Sequence, residues 1–236
     1  MAIIAANLQA VHRRIAQAIQ AAGRAPEAVR LVAVSKTFPA QAIRAAVDAG
    51  QTAFGENHEQ EGLRKIGELR DLRIEWHFIG PIQSNKTRGI AENFAWVHSV
   101  DRAKIAQRLS DARPPGVPPL NVLIQVNVSG EPAKSGVAPE GLLELARQTR
   151  RMPGLALRGL MAIPRPTGDE KQQRSQFRVL RELKDSLAQA DIALVELSMG
   201  MSADMEAAIA EGATMVRIGT GIFGQRAAKE TADERR

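Results

Sequence analysis

Lys36 stands at the end of the apolar run LVAVS, with Pro39 shortly after it. An ammonium at a dry strand end is hard to keep charged, so its pKa tends to fall. A neutral lysine amine is the nucleophile that captures an aldehyde as a Schiff base. A strand-end lysine also commonly snorkels to solvent, and spacing alone favours that plainer reading. Near the other end of the chain, VRIGTGIFG sets Arg217, Gly219 and Thr220 behind a short apolar run. Successive small residues let backbone N–H groups converge on a phosphate. The same pattern reads equally as a glycine-rich turn. Between them, LSMGMSADMEAAIAEG carries Ser198 and Ser202. Ser202 is suited to N-cap a helix over Ala203–Glu211 that stops at Gly212. The start of that helix is also a candidate phosphate site, and the methionines around it read as packing.

Other chemistries find little support. The chain has no cysteine, which removes disulfides, thiolate metal sites and a cysteine nucleophile. His12, His58, His77 and His98 lack metal-ligand spacing. His12 reads as a surface residue of the first helix, while His77 and His98 read as satisfied strand histidines. Neither a GxSxG nor a Walker pattern occurs.

Short apolar runs at Leu31–Ser35, Thr52–Gly55, Trp76–Ile79, Trp96–Val100, Leu120–Val128, Leu157–Ile163, Leu194–Ser198 and Met215–Ile218 predict strands. Amphipathic stretches at Ala40–Ala49, Glu59–Leu72, Arg102–Asp111, Pro139–Arg150, Lys171–Ala190 and Ala203–Glu211 predict helices. This alternation implies parallel strands joined by crossover helices. Eight of them close a (β/α)8 TIM-type barrel with an extra N-terminal helix, and a doubly wound open sheet is the alternative. In a barrel the functional mouth lies at the strand C-terminal ends. There the sequence sets Ser35-Lys36-Thr37, Gly55-Glu56-Asn57, Gly80-Pro81-Ile82-Gln83, Asn127-Val128-Ser129-Gly130 and Arg217-Ile218-Gly219-Thr220. Closure would bring Lys36 and Arg217, nearly a chain length apart, into one pocket.

Composition agrees with one such unit. A barrel typically takes about 250 residues, so 236 residues at 44% hydrophobic predict a single domain over 1–236, with 226–236 as a fraying charged tail. The net charge of +6 comes from basic residues scattered among acidic ones, as in EGLRKIGELRDLR, which reads as a solvated helix face. With aromatics at only 3%, nucleic acid is not the expected partner; an anionic small ligand is. No run of about 18 apolar residues predicts a membrane span. The N-terminus reads as an amphipathic helix and not as a signal peptide, so the expected location is cytoplasmic.

Taken in order, AVSKTFP, FGENHEQE, WHFIGPIQSNK, VHSVD, QVNVSGEPAKSG, GLMAIP, LSMGMSADMEAAI and VRIGTGIFG resemble the successive signatures of the pyridoxal phosphate homeostasis proteins. The resemblance runs from about Leu31 to Gly224. It implies a single-domain barrel similar to the N-terminal domain of alanine racemase, binding pyridoxal 5′-phosphate (PLP). It further implies that Lys36 is the Schiff-base lysine and that Arg217 lies near the pyridine nitrogen or the phosphate, with Gly219 and Thr220 on the phosphate. Ser202, or second Ser198, corresponds to a phosphate-binding serine. Asn57 and His77 line the pocket. Many relatives carry tyrosine where this chain has His58, so no role of that tyrosine carries over.

Two functions compete on these residues. An amino-acid racemase needs a second base opposite the lysine, a tyrosine in alanine racemases, and the chain contains no tyrosine; nor is a second domain expected after the eighth strand. A carrier needs only a reversible Schiff base and a phosphate site. Buffering, protection or delivery of PLP is therefore the expected function, with a racemase-like enzyme as the alternative. A third reading is a barrel enzyme acting on another phosphorylated metabolite. The expected partners are PLP and apo-enzymes that accept it, and the expected state is a monomer or weak dimer.

Overall fold

The computed structural model describes residues 2–131 and 134–225; the predicted tail over 226–236 lies outside them. Helix α1 (Ala2–Ala21) precedes eight strand–helix units. These are β1 (Arg30–Val34), α2 (Ala40–Asp48), β2 (Ala53–Glu56), α3 (Glu59–Glu68), β3 (Glu75–Phe78), α4 (Thr87–Asn93), β4 (Trp96–Val100), α5 (Ala103–Ala112), β5 (Leu120–Gln125), α6 (Leu142–Arg150), β6 (Leu155–Met161), α7 (Glu170–Gln189), β7 (Glu196–Ser198), α8 (Met205–Ala210), β8 (Met215–Ile218) and α9 (Thr220–Phe223). The strands pair in parallel in chain order, and β1 closes on β8. The open sheet is thereby excluded.

Side-chain alternation separates two packing layers. Leu31, Ala33, Phe54, Trp76, Phe78, Val97, Val216 and Ile218 join the main core between barrel and helices. Trp96, Leu123, Met161 and Met215 form a separate small cluster inside the barrel. His77 stacks on Trp96 at 5.6 Å, which puts it in that interior layer too.

Helix α1 completes the outer ring. Leu8, Val11, Ile15, Ala18 and Ile19 are its buried stripe, and it lies against α2, α8 and α9. Because α9 is only four residues long, α1 takes the place of the helix that ordinarily follows the eighth strand. Arg24 fixes its end, donating to Ile209 O and Ala213 O at 2.9 and 2.7 Å. Burying each of the larger apolar side chains in this stripe contributes about 1.5–3 kcal/mol.

Several boundaries differ from those the sequence predicts. Strand β5 stops at Gln125 rather than Val128; Val126 still donates to Met161 O at 2.9 Å and also bridges Val137 of the following loop. Helix α4 was not predicted; its sequence, TRGIAEN, is short and only weakly periodic. The helix expected from Ala203 begins at Met205, with Asp204 at its N-cap position. Asp204 Oδ1 accepts the Met201 N–H at 2.6 Å, so Asp204 and not Ser202 closes that turn. The charged residues of EGLRKIGELRDLR lie toward solvent except Lys65, whose side chain is fully buried.

Candidate functional site

The β1–β8 register pairs Val32 with Arg217 and Ala33 with Ile218, so the chain beyond β1 and the chain beyond β8 emerge side by side. Lys36 is half-buried in the turn after β1. Gly219 lies against the same strand end: a Cβ there would stand 3.1 Å from Val34 O. A side chain at this position would push the two strand ends apart. Beyond it, Thr220 Oγ1 lies 3.3 Å from Ser202 Oγ. Gly200 permits the approach of the Ser202 turn with φ +93°, a conformation that favours glycine. Lys36, Ser202, Gly219 and Thr220 thus come from the ends of β1, β7 and β8, at one rim. Asn57 follows β2 on that rim, and its Oδ1 is buried without a hydrogen-bond partner among the described residues.

Below the rim, the barrel interior carries a chain of hydrogen bonds. Arg217, 4% exposed, donates from Nη1 to Ser198 O and Oγ, both at 2.7 Å, and from Nη2 to Ala162 O at 3.0 Å. Ser198 Oγ lies 2.8 Å from His98 Nδ1. His98 Nε2 lies 2.8 Å from His77 Nδ1, and His77 Nε2 lies 2.9 Å from Glu75 Oε1. Burial favours the neutral form of both imidazoles, and the Glu75 carboxylate only accepts. With those two conditions His77 donates from Nε2 to Glu75, His98 donates from Nε2 to His77, and Ser198 gives its proton to His98.

Burial is the main cause that lowers the His77 pKa. It also holds the His98 pKa well below 6.5, reinforced by the nearby charges of Arg217 and Arg30. The hydrogen bond from His77 is the main cause that lowers the Glu75 pKa, and Glu75 also pairs with Arg30 at 2.6 Å. Burial lowers the Arg217 pKa to about 10, so the guanidinium remains charged at neutral pH.

A second buried cluster lies outside the sheet, under the Lys36 turn. Lys65 of α3 donates to Ser35 O at 2.7 Å, Glu56 Oε1 at 2.8 Å and Glu61 Oε1 at 2.7 Å. The sequence reading missed this cluster. One signal was available, since Gly62, Lys65 and Leu69 share the helical face that packs on the barrel, and a lysine at that spacing is out of place.

The site residues expected from sequence divide into two groups. Lys36, Asn57, Ser202, Gly219 and Thr220 gather at the rim. Arg217, Ser198 and His77 lie below it, with their polar atoms engaged in the interior hydrogen-bond chain. His98, read from sequence as a satisfied strand histidine, is one, with a partner on each ring nitrogen; Glu75, which ends the chain, was not singled out. His58 is exposed at the start of α3. Among the described residues no group of three His, Asp or Glu is arranged to hold a metal, and no helix is long and apolar enough to cross a membrane.

Residues 6–227 match the family described as alanine racemase, N-terminal domain. A pyridoxal phosphate homeostasis protein of Pseudomonas aeruginosa is 61% identical over 226 residues, covering 96% of this chain and 97% of that one. PipY of Synechococcus elongatus PCC7942, solved with PLP bound, is 39% identical with a TM-score of 0.78, over 89% of this chain and 100% of its own. The alanine racemase of Corynebacterium glutamicum, at 16% identity and a TM-score of 0.68, shares the fold over 97% of this chain and 62% of that one.

Proposed function

The chain belongs to the pyridoxal phosphate homeostasis protein family, and from that premise we propose that it binds PLP at the barrel rim and holds it reversibly as a carrier. PLP would supply an aldehyde that a lysine amine captures as a Schiff base, and a pyridine ring able to withdraw electrons. The observation that carries the reading is the closure of β1 on β8. It brings the chain after β1, which carries Lys36, and the chain after β8, which carries Gly219 and Thr220, to one rim, where Thr220 meets Ser202. The residues fit the ligand. Gly219 lets the end of β8 lie close against Val34 at the end of β1, and Asn57 Oδ1 is a buried acceptor with no partner among the described residues.

In this reading Lys36 is the amine, and Ser202, Gly219 and Thr220 hold the phosphate. Ser198 is the less suitable phosphate serine, because its hydroxyl already accepts from Arg217 and donates to His98. Arg217 faces the pyridine nitrogen. A guanidinium that stays cationic cannot accept a proton, so it leaves that nitrogen unprotonated and the ring a poorer electron sink. Its remaining N–H groups are oriented by the bonds to Ser198 and Ala162. This arrangement suits retention of the cofactor better than carbanion chemistry.

A non-catalytic role follows, with PLP passed to apo-enzymes that lack it, by a cytoplasmic single-domain protein acting as a monomer or weak dimer. Absorbance titration with PLP tests the reading. Wild-type protein should develop a long-wavelength band that borohydride removes, and Lys36→Ala should not. Turnover of natural amino acids at ordinary enzyme rates, abolished in Lys36→Ala, would refute the carrier role.

A further inference from the structure

Buried ion pairs are a poor way to hold a helix on a sheet, since apolar side chains of similar volume do so at least as well. The Lys65 cluster therefore calls for a reason other than stability. Lys65 and Glu56 are fully buried and Glu61 is 22% exposed at its side chain. Each hydrogen of the Lys65 ammonium has an oxygen: Ser35 O, Glu56 Oε1 and Glu61 Oε1.

What these oxygens share is their place around Lys36. Ser35, the residue before it, is tied four ways. Its N–H donates to Gly55 O at 3.0 Å, its Oγ donates to Glu56 Oε1 at 2.6 Å, and its carbonyl accepts both from Lys65 and from the Phe38 N–H at 3.1 Å. Thr37, the residue after it, donates its backbone N–H to Glu61 Oε1 at 2.6 Å. Thr37 also sits at φ +70°, a left-handed conformation that is unfavourable for a β-branched residue and persists only where the surroundings hold it. Leu31 and Ala33 belong to the outer core, so strand alternation sends Ser35 outward toward α3 and Lys36 toward the mouth. The peptide units on both sides of Lys36 thus converge, through Ser35 O and Glu61, on one buried ammonium.

We propose that Lys65, together with Glu56 and Glu61, is a positioning residue for Lys36: the buried ammonium fixes the turn that aims the Lys36 amine at the ligand aldehyde. The proposal rests on Lys36 being the PLP-binding lysine. Burial raises the Glu56 pKa, in keeping with a site where one carboxyl can lose its charge if Lys65 is removed.

The test separates aiming from pocket formation by using two ligands. PLP carries the aldehyde; 4-deoxypyridoxine 5′-phosphate lacks it and binds only noncovalently. Lys65→Met keeps the length of the side chain and removes the charge. It should slow appearance of the borohydride-sensitive band at least roughly tenfold, the scale on which misplacing a reacting group acts, while affinity for the deoxy analogue holds; the melting temperature falls, because Glu56 loses its buried partner. Glu61→Ala releases the Thr37 tether and one of the three Lys65 bonds, leaves Glu56 and Ser35 on the ammonium, and should show the same split in smaller size. It also decides the matter if Lys65→Met fails to fold. Equal loss of PLP and analogue binding in the variants would overturn the proposal, as would unchanged rates. Failure of the underlying reading looks different: wild-type protein reduced with borohydride would then carry no adduct on Lys36.

Discussion

Arg217 and His98 are joined through a single hydroxyl. Ser198 Oγ accepts from the guanidinium at 2.7 Å and lies 2.8 Å from His98 Nδ1, to which it donates. The relationship gives the barrel interior a direction. Every bond runs from the buried Arg217 cation to the Glu75 carboxylate where β3 begins, and no member can reverse without breaking the others.

Removing the hydroxyl tests that dependence. Ser198→Ala leaves His98 Nδ1 buried without its donor, a loss of about 1–3 kcal/mol in folding stability by chemical denaturation. It also frees Arg217 from one of its anchors. Affinity for PLP should fall less than in Arg217→Ala, where loss of a charge-assisted contact removes about 1.5–3 kcal/mol of binding, roughly tenfold to hundredfold in an equilibrium titration. Equal affinities in Arg217→Ala and wild type would show that Arg217 does not touch the ligand.

Phosphate recognition is read by comparing PLP with pyridoxal, which has the aldehyde and no phosphate. Wild-type protein should prefer PLP strongly. The double substitution of Ser202→Ala and Thr220→Val should narrow that preference by weakening PLP alone, by about 1–3 kcal/mol for two hydrogen bonds to a charged group. A preference that stays unchanged would locate the phosphate elsewhere.

Stability should fall in mild acid. His77 and His98 have folded pKa values below the ordinary 6.5, with burial the main cause in each. As pH drops below about 6.5 the unfolded chain takes up protons that the folded chain refuses. The full stability is thus present above that pH and declines toward the lowered folded values. Each histidine can contribute up to about 1.4 kcal/mol per pH unit. The raised Glu56 pKa works in the opposite direction, so the informative quantity is the difference between wild type and His98→Gln. Denaturant titrations at pH 7.5, 6.5 and 5.5 should show the variant losing less on acidification. Parallel curves would mean that His98 does not resist protonation.

Much of this was legible from residue order. Strand–helix alternation and the small residues after each apolar run pointed to a barrel with its site at one rim, and all eight strands were found. Their ends moved because hydrogen bonds to distant residues set them, as with Val126 and Val137. The Ser202 cap failed for a local reason: Asp204, two residues on, competes for the same turn and bonds the Met201 N–H. The histidine chain stayed hidden because it joins residues up to 100 positions apart through contacts that only closure creates. Lys65 was misread because its sequence neighbours are charged and solvated, while its own partners include Ser35, 30 residues away.

The central claim is that Lys36 is the residue that captures PLP. Protein incubated with PLP, reduced with borohydride, digested and analysed by mass spectrometry gives the most direct answer. The account predicts a single pyridoxyl-phosphate adduct on the peptide carrying Lys36, absent from Lys36→Ala. An adduct centred on another lysine, or none at all, would contradict it.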